Sequence, residues 1–122
     1  MIFRQLFDRE SSTYSYLLGD ERTREALLID PVVDSTEQNL ALLEQLGLTL
    51  KLAVDTHTHA DHITGLGALR ERTGCATMMG SQSLANCLSE TFADGDQLTV
   101  GDIKLEVLYT PGHTDDSYSF YL

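Results

Sequence analysis

The sequence predicts an α/β fold, and three observations predict it. Short apolar and aromatic runs separated by polar turns open the chain. A leucine-rich stretch of helical spacing follows them. Two later apolar runs then each lead straight into a histidine-bearing segment. A strand followed by a candidate ligand segment is α/β logic, because sites collect where strand ends fix the start of a loop.

In chain order, Ile2 to Phe7 reads as a strand with apolar Phe3, Leu6 and Phe7, and Tyr14 to Leu18 as a second. Gly19-Asp20-Glu21 is a turn before a third run, Ala26-Leu27-Leu28-Ile29, which Asp30-Pro31 stops. Proline removes a ladder donor and biases the residue before it away from helix. The three runs predict an antiparallel meander. Ser35 with Gln38 three residues on has capping-box spacing, and Gly47 is placed to end the helix so begun. Leu40, Leu43 and Leu46, with Leu42 beside them, give that helix one apolar face.

Leu50 to Val54 is a buried-strand run that enters Asp55-Thr56-His57. Beyond the histidines, Leu66 to Arg72 predicts a short helix with Leu66 and Leu69 inward and Gly74 at its end. Cys75 to Met79 predicts a strand, and Ser81 to Ser89 a further short helix. Asp94-Gly95-Asp96 is a turn. Gln97 to Val100 and Ile103 to Leu108 flank Gly101-Asp102 as a hairpin, with Ile103, Leu105 and Val107 on the inner face. Tyr118 to Leu122 begins another strand. No repeat, low-complexity tract or linker interrupts residues 1–122, which are long enough for one domain and short for two.

The chemistry concentrates in His57-Thr58-His59-Ala60-Asp61-His62. Three imidazoles and a carboxylate suit zinc or iron better than calcium or magnesium, which prefer oxygen ligands throughout. The chain has four histidines, and the fourth, His113, lies in Thr110-Pro111-Gly112-His113-Thr114. His57, His59, Asp61, His62 and His113 are therefore the candidate metal ligands, and Asp61 the candidate catalytic group. Asp115 and Asp116 read as a solvated turn after His113.

A net charge of −11, from 19 acids and 8 bases, argues against a nucleic-acid partner, since phosphate backbones require clustered Lys and Arg. No apolar stretch is long enough to span a bilayer, and residues 1–8 lack a signal-peptide core, so cytoplasmic residence is expected. Cys75 and Cys87 stand twelve apart without a C-x-x-C pair, as expected of reduced, inert thiols.

The H-x-H-x-D-H stretch, with Thr110-Pro111-Gly112-His113 further on, resembles the metallo-β-lactamase superfamily. Phe3-Arg4-Gln5-Leu6-Phe7-Asp8, Ser12-Thr13-Tyr14, Leu28-Ile29-Asp30-Pro31 and Asp55 to Gly65 are similar to its persulfide dioxygenase branch, which is glyoxalase II-like. Thr110 to Phe120 resembles a bacterial part of that branch. The resemblance implies the N-terminal half of an αβ/βα sandwich, a mixed, mainly antiparallel sheet with helices on one face. It implies oxidation of glutathione persulfide to glutathione and sulfite by O₂ at a single Fe(II). His57 and His113 match two ligands of that iron, and the third is an aspartate on a later strand, past Leu122. His59, Asp61 and His62 match zinc positions of hydrolytic relatives and orienting positions of the dioxygenases. Two alternatives stand beside this: a glyoxalase II-like zinc thioester hydrolase, and a non-catalytic half-domain that self-associates as a homo-oligomer through its uncovered sheet face.

Overall fold

The computed structural model describes residues 1–9, 13–56, 65–80, 90–110 and 118–122. Strands β1 (Ile2–Asp8), β2 (Thr13–Gly19), β3 (Glu25–Ile29), β4 (Thr49–Val54), β5 (Ala76–Gly80) and β6 (Glu90–Phe92) form one six-stranded sheet in sequence order. The first three pair antiparallel, as the polar turns between them predict, and β3 to β6 pair parallel. Parallel neighbours need crossovers, and helices α1 (Thr36–Leu46) and α2 (Leu66–Thr73) lie in the connections from β3 to β4 and from β4 to β5. The C-terminal ends of β3, β4 and β5 consequently share one edge of the sheet.

A second sheet of β7 (Gln97–Val100), β8 (Ile103–Tyr109) and β9 (Tyr118–Tyr121) is antiparallel throughout. Two apolar cores follow. Leu43, Leu66 and Leu69 of the helices pack with Leu17, Leu28, Ala53 and Met79 on one face of the large sheet. Ile103, Leu105 and Val107 of the small sheet pack with Leu18, Leu27, Leu52 and Val54 on the other. The mixed sheet with helices on one face is as the resemblance implies, but it is not mainly antiparallel: three of its five strand pairings are parallel, since crossovers follow β3, β4 and β5.

One strand serves both cores by breaking its own alternation. Ala26 pairs with Leu50 and Leu27 with Leu52, so Lys51 is the extra residue of a bulge. Leu50 therefore joins the helix-side core and Leu52 the inter-sheet core, although both are even-numbered. An unbroken period of two would have placed them on the same face.

Two further details differ from the sequence expectation. The capping box does not form: Ser35 makes no side-chain cap hydrogen bond, because residues 33–35 form a 3₁₀ turn ahead of α1 and the Ser35 hydroxyl donates to Asp8 Oδ1 at 3.3 Å. Gly47 ends α1 as expected, in the left-handed conformation at φ 67°. Strand β6 was not anticipated, because three residues carry no periodicity. Its Phe92, 1% exposed, packs edge-on against Tyr118 at 5.0 Å and Phe120 at 5.4 Å. The helix expected over 81–89 lies outside the described residues.

At the end opposite the strand C-termini, the turn after β2 grips the hairpin between β7 and β8. Asp20 Oδ2 accepts the Asp102 N–H and the Thr23 hydroxyl, both at 2.8 Å. Arg22 donates to both carboxylate oxygens of Asp102 at 2.7 Å, though this pair is exposed and contributes little. Gly101, at φ 56°, is required there: a Cβ would collide with the Asp20 carboxylate and Thr23.

The Asp102 N–H, foremost, holds the Asp20 carboxyl below the usual carboxylate range. A depressed folded value contributes stability that is complete above the unfolded value, near pH 4, and is lost as pH falls through the folded one. Urea unfolding at neutral pH is thus expected to show Asp20→Asn less stable than wild type, with the gap closing below about pH 4. A gap independent of pH would remove Asp20 from the acid sensitivity of the fold.

Candidate metal centre

The site is built from the end of β3. Asp30 follows the last residue of that strand and takes φ 56°, a left-handed conformation that short polar side chains tolerate better than most. Its N–H donates to Val54 O at 2.7 Å, which ties it to β4. Its carboxylate accepts the Thr56 N–H at 2.7 Å and the Thr56 hydroxyl at 2.8 Å. One residue on, the Pro31 carbonyl accepts the Gly65 N–H at 2.7 Å. Thr56 and Gly65 are the residues on either side of 57–64, so one Asp-Pro dipeptide holds both feet of the histidine-rich segment.

Gly65 owes its identity to that contact. A Cβ there would lie 3.2 Å from the Val32 carbonyl atoms and 3.3 Å from Pro31 C, so a side chain would require the backbone at 31–32 to give by a few tenths of an ångström.

The second segment is rooted against the first. Strand β8 ends at Tyr109, β9 begins at Tyr118, and these two residues are cross-strand partners. The Tyr118 N–H donates to Thr56 O at 2.6 Å, a bond between the two sheets. The Thr110 and Ser119 hydroxyls lie 2.9 Å apart, close enough to hydrogen-bond across the mouth of 111–117. Thr56 therefore touches β3 through its N–H and hydroxyl and β9 through its carbonyl. The Tyr118 ring is buried and packs on Tyr109 at 5.1 Å.

His57, His59, Asp61 and His62 fall in 57–64, and His113, Asp115 and Asp116 in 111–117, all outside the described residues. What the structure brings together is the roots of the two segments. Among the described residues no group of three His, Cys, Asp or Glu side chains gathers to hold a metal. As residue types, the imidazoles and the Asp61 carboxylate expected from the sequence to bind a metal are a nitrogen and oxygen set that fits zinc or iron.

A cleft of about 510 Å³ between the sheets reaches these roots, walled by Phe3, Tyr16, Ile29 and Phe120 and ending at Asp30 and Thr56. The described residues contain no helix long and apolar enough to cross a membrane. Cys75 is 4% exposed and burial pushes its thiol up, as expected of an inert cysteine. Cys87 lies outside the described residues.

None of Asp30, Thr56 and Gly65 stands out in the sequence as a site residue, although Thr56 and Gly65 flank the histidines. Asp30-Pro31 reads in sequence as a strand stop. The one signal of a second role is an acid at a strand C-terminus ahead of the histidine strand.

Comparison with known proteins gives three kinds of match. The family model described as Metallo-beta-lactamase superfamily matches residues 8–122. A protein of Mus musculus named persulfide dioxygenase ETHE1, mitochondrial, is 44% identical over 127 residues, covering 100% of this chain and 48% of that protein. A hydroxyacylglutathione hydrolase of Idiomarina loihiensis is 36% identical over 108 residues, covering 88% of this chain and 42% of that protein. Among solved structures, ETHE1 from Myxococcus xanthus superposes with a TM-score of 0.97 at 53% identity, covering 100% of this chain and 54% of that one. The chain spans about half the length of the curated relatives it matches.

The clamp makes a graded prediction. Asp30→Ala removes two acceptors and the left-handed tolerance, and is expected to cost about 2–3 kcal/mol in chemical unfolding. Asp30→Asn keeps one acceptor and tolerates positive φ, and is expected to cost less than half as much. Equal losses would mean that the carboxylate does not hold Thr56.

Proposed function

The chain belongs to the metallo-β-lactamase superfamily, and on that premise we propose that it carries the metal-binding part of a persulfide dioxygenase acting on glutathione persulfide and O₂. The observation that carries this reading is the identity to the mouse dioxygenase, which extends across the whole chain rather than the histidine motif alone. In this reading His57 and His113 hold one Fe(II), together with a carboxylate that the family resemblance places beyond Leu122.

When bound, the iron supplies open coordination positions for O₂ and the persulfide sulfur and the redox capacity to join them. The terminal sulfur takes two oxygens from O₂ and one from water, leaving sulfite and the thiol. The chain's own residues hold the centre still. Asp61 would orient a ligating imidazole or a metal-bound water. Asp30 and Thr56 fix where His57 begins, and Tyr118 ties the His113 segment beside it.

A second reading rests on the match to the hydroxyacylglutathione hydrolase. There His57, His59, Asp61, His62 and His113 hold zinc for thioester hydrolysis. The substrate side of both readings is a glutathione-derived thiol compound. A cytoplasmic setting fits the chain's composition, whereas the mammalian dioxygenases carry a mitochondrial designation. Self-association through a second copy is supported by the inner face of β1 and β2, where Phe3, Phe7 and Tyr14 are about half exposed.

Metal analysis of protein from iron-supplemented culture, completed past Leu122 so that it carries the third carboxylate ligand, separates these readings. About one iron per chain, with O₂ uptake on adding glutathione persulfide, is expected for the dioxygenase. About two zincs per chain with thioester turnover favour the hydrolase. Protein free of both metals overturns the two readings together. Sedimentation is expected to show a dimer whose dissociation is promoted by Phe7→Glu; a monomer at every concentration removes the self-association proposal.

A further inference from the structure

We propose that the Ser15 hydroxyl is a positioning group for the metal centre, acting by holding the Asp30 carbonyl in the orientation that lets residues 30 and 31 grip both feet of segment 57–64. The proposal rests on the metal-binding reading above. Ser15 lies on β2, 5% exposed, and its hydroxyl donates to Asp30 O at 2.6 Å.

The argument is one of torsions. Asp30 is fixed on its N-terminal side, where its N–H meets Val54 O at 2.7 Å. Its carboxylate holds Thr56, and the carbonyl of the next residue holds Gly65. The proline ring locks φ of Pro31. The rotation of Asp30 about its Cα–C bond therefore sets how its carboxylate and Pro31 are directed relative to each other. The atom that reports this rotation is the Asp30 carbonyl oxygen, and Ser15 holds it. A non-glycine residue at φ 56° sits in a conformation its surroundings must enforce, so loss of the hydroxyl frees this torsion in a strained residue.

A merely structural role makes a different prediction. A buried carbonyl that loses its donor lowers global stability and speeds exchange of all protected amides alike. A positioning role speeds exchange selectively at the Thr56 and Gly65 amides, the two donors whose acceptors sit on residues 30 and 31. A cavity of about 520 Å³ lined in part by Ser15, Leu6 and Asn39 leaves room for an added methyl. Thr and Val at position 15 thus form a pair of equal shape that differs in the hydroxyl.

The experiment is amide exchange by NMR on Ser15→Ala, Ser15→Thr and Ser15→Val, with Co(II) titration of the same proteins. Ala and Val are expected to speed exchange at Thr56 and Gly65 about tenfold relative to Asp55, whose N–H binds Met78 O, and Thr to stay within about threefold of wild type. Cobalt affinity is expected to fall about tenfold for Ala and Val and to be restored in Thr. Wild-type exchange at both amides in Ala, uniform acceleration of all amides, or Val behaving as Thr would each overturn the proposal. If exchange responds as expected but the wild-type chain takes up no cobalt, the clamp stands and the metal reading falls.

Discussion

A single residue in an unfavourable backbone conformation joins the strands to the chemistry. Asp30 follows β3 at positive φ, and among the described residues four hydrogen bonds join it to its neighbours: to Val54 through its N–H, to Ser15 through its carbonyl, and twice to Thr56 through its carboxylate. Each partner lies on a different strand from Asp30 or just past one, so β2, β3 and β4 are all fixed in relation to the point where the histidine-rich segment begins. Left-handed backbone at a non-glycine residue costs of order 1–3 kcal/mol and persists where the surroundings over-determine it. Here the over-determination is visible bond by bond.

The two sheets meet at both ends through different chemistry. Near the histidine segments the bond is backbone to backbone, Tyr118 N–H to Thr56 O, which no side-chain substitution removes directly. At the far end the contact is a carboxylate, Asp20, closing on the backbone of a tight hairpin whose glycine leaves it room. Between them the apolar core of Leu27, Leu52, Val54, Leu105 and Val107 supplies the burial. The end that carries the candidate ligands is therefore tied by a backbone bond, and the remote end by an ionisable one.

Much of the fold was legible because its elements carry their own periodicity. The alternation of Ile103, Leu105 and Val107, the helical spacing of Leu40, Leu43 and Leu46, and glycines at 47 and 74 each specify structure locally. The His57 to His62 spacing pointed to a metal centre for a similar reason, since a ligand cluster is a local pattern. What stayed hidden depends on partners distant in sequence. Ser35 looked like a cap, but the 3₁₀ turn and Asp8, 27 residues away, claimed it. Strand β6 is held by Phe92 packing on residues of β9 that sequence alone does not place beside it. Asp30 meets Thr56 across 26 residues, and Ser15 meets Asp30 across 15. A bulge at Lys51 likewise cancels the alternation that a strand reading assumes.

Both feet of segment 57–64, Thr56 and Gly65, rest on two adjacent residues. Its entry and exit points are set by the Asp30-Pro31 dipeptide, whatever lies between them. Closing so short a loop on a preformed base costs little chain entropy beyond that already spent on the base. Substitutions between the two feet therefore leave the hydrogen bonds of Asp30 and Pro31 to Thr56 and Gly65 in place. The relatives that this chain matches carry two different names, persulfide dioxygenase and hydroxyacylglutathione hydrolase, and a base fixed by Asp30-Pro31 is compatible with either.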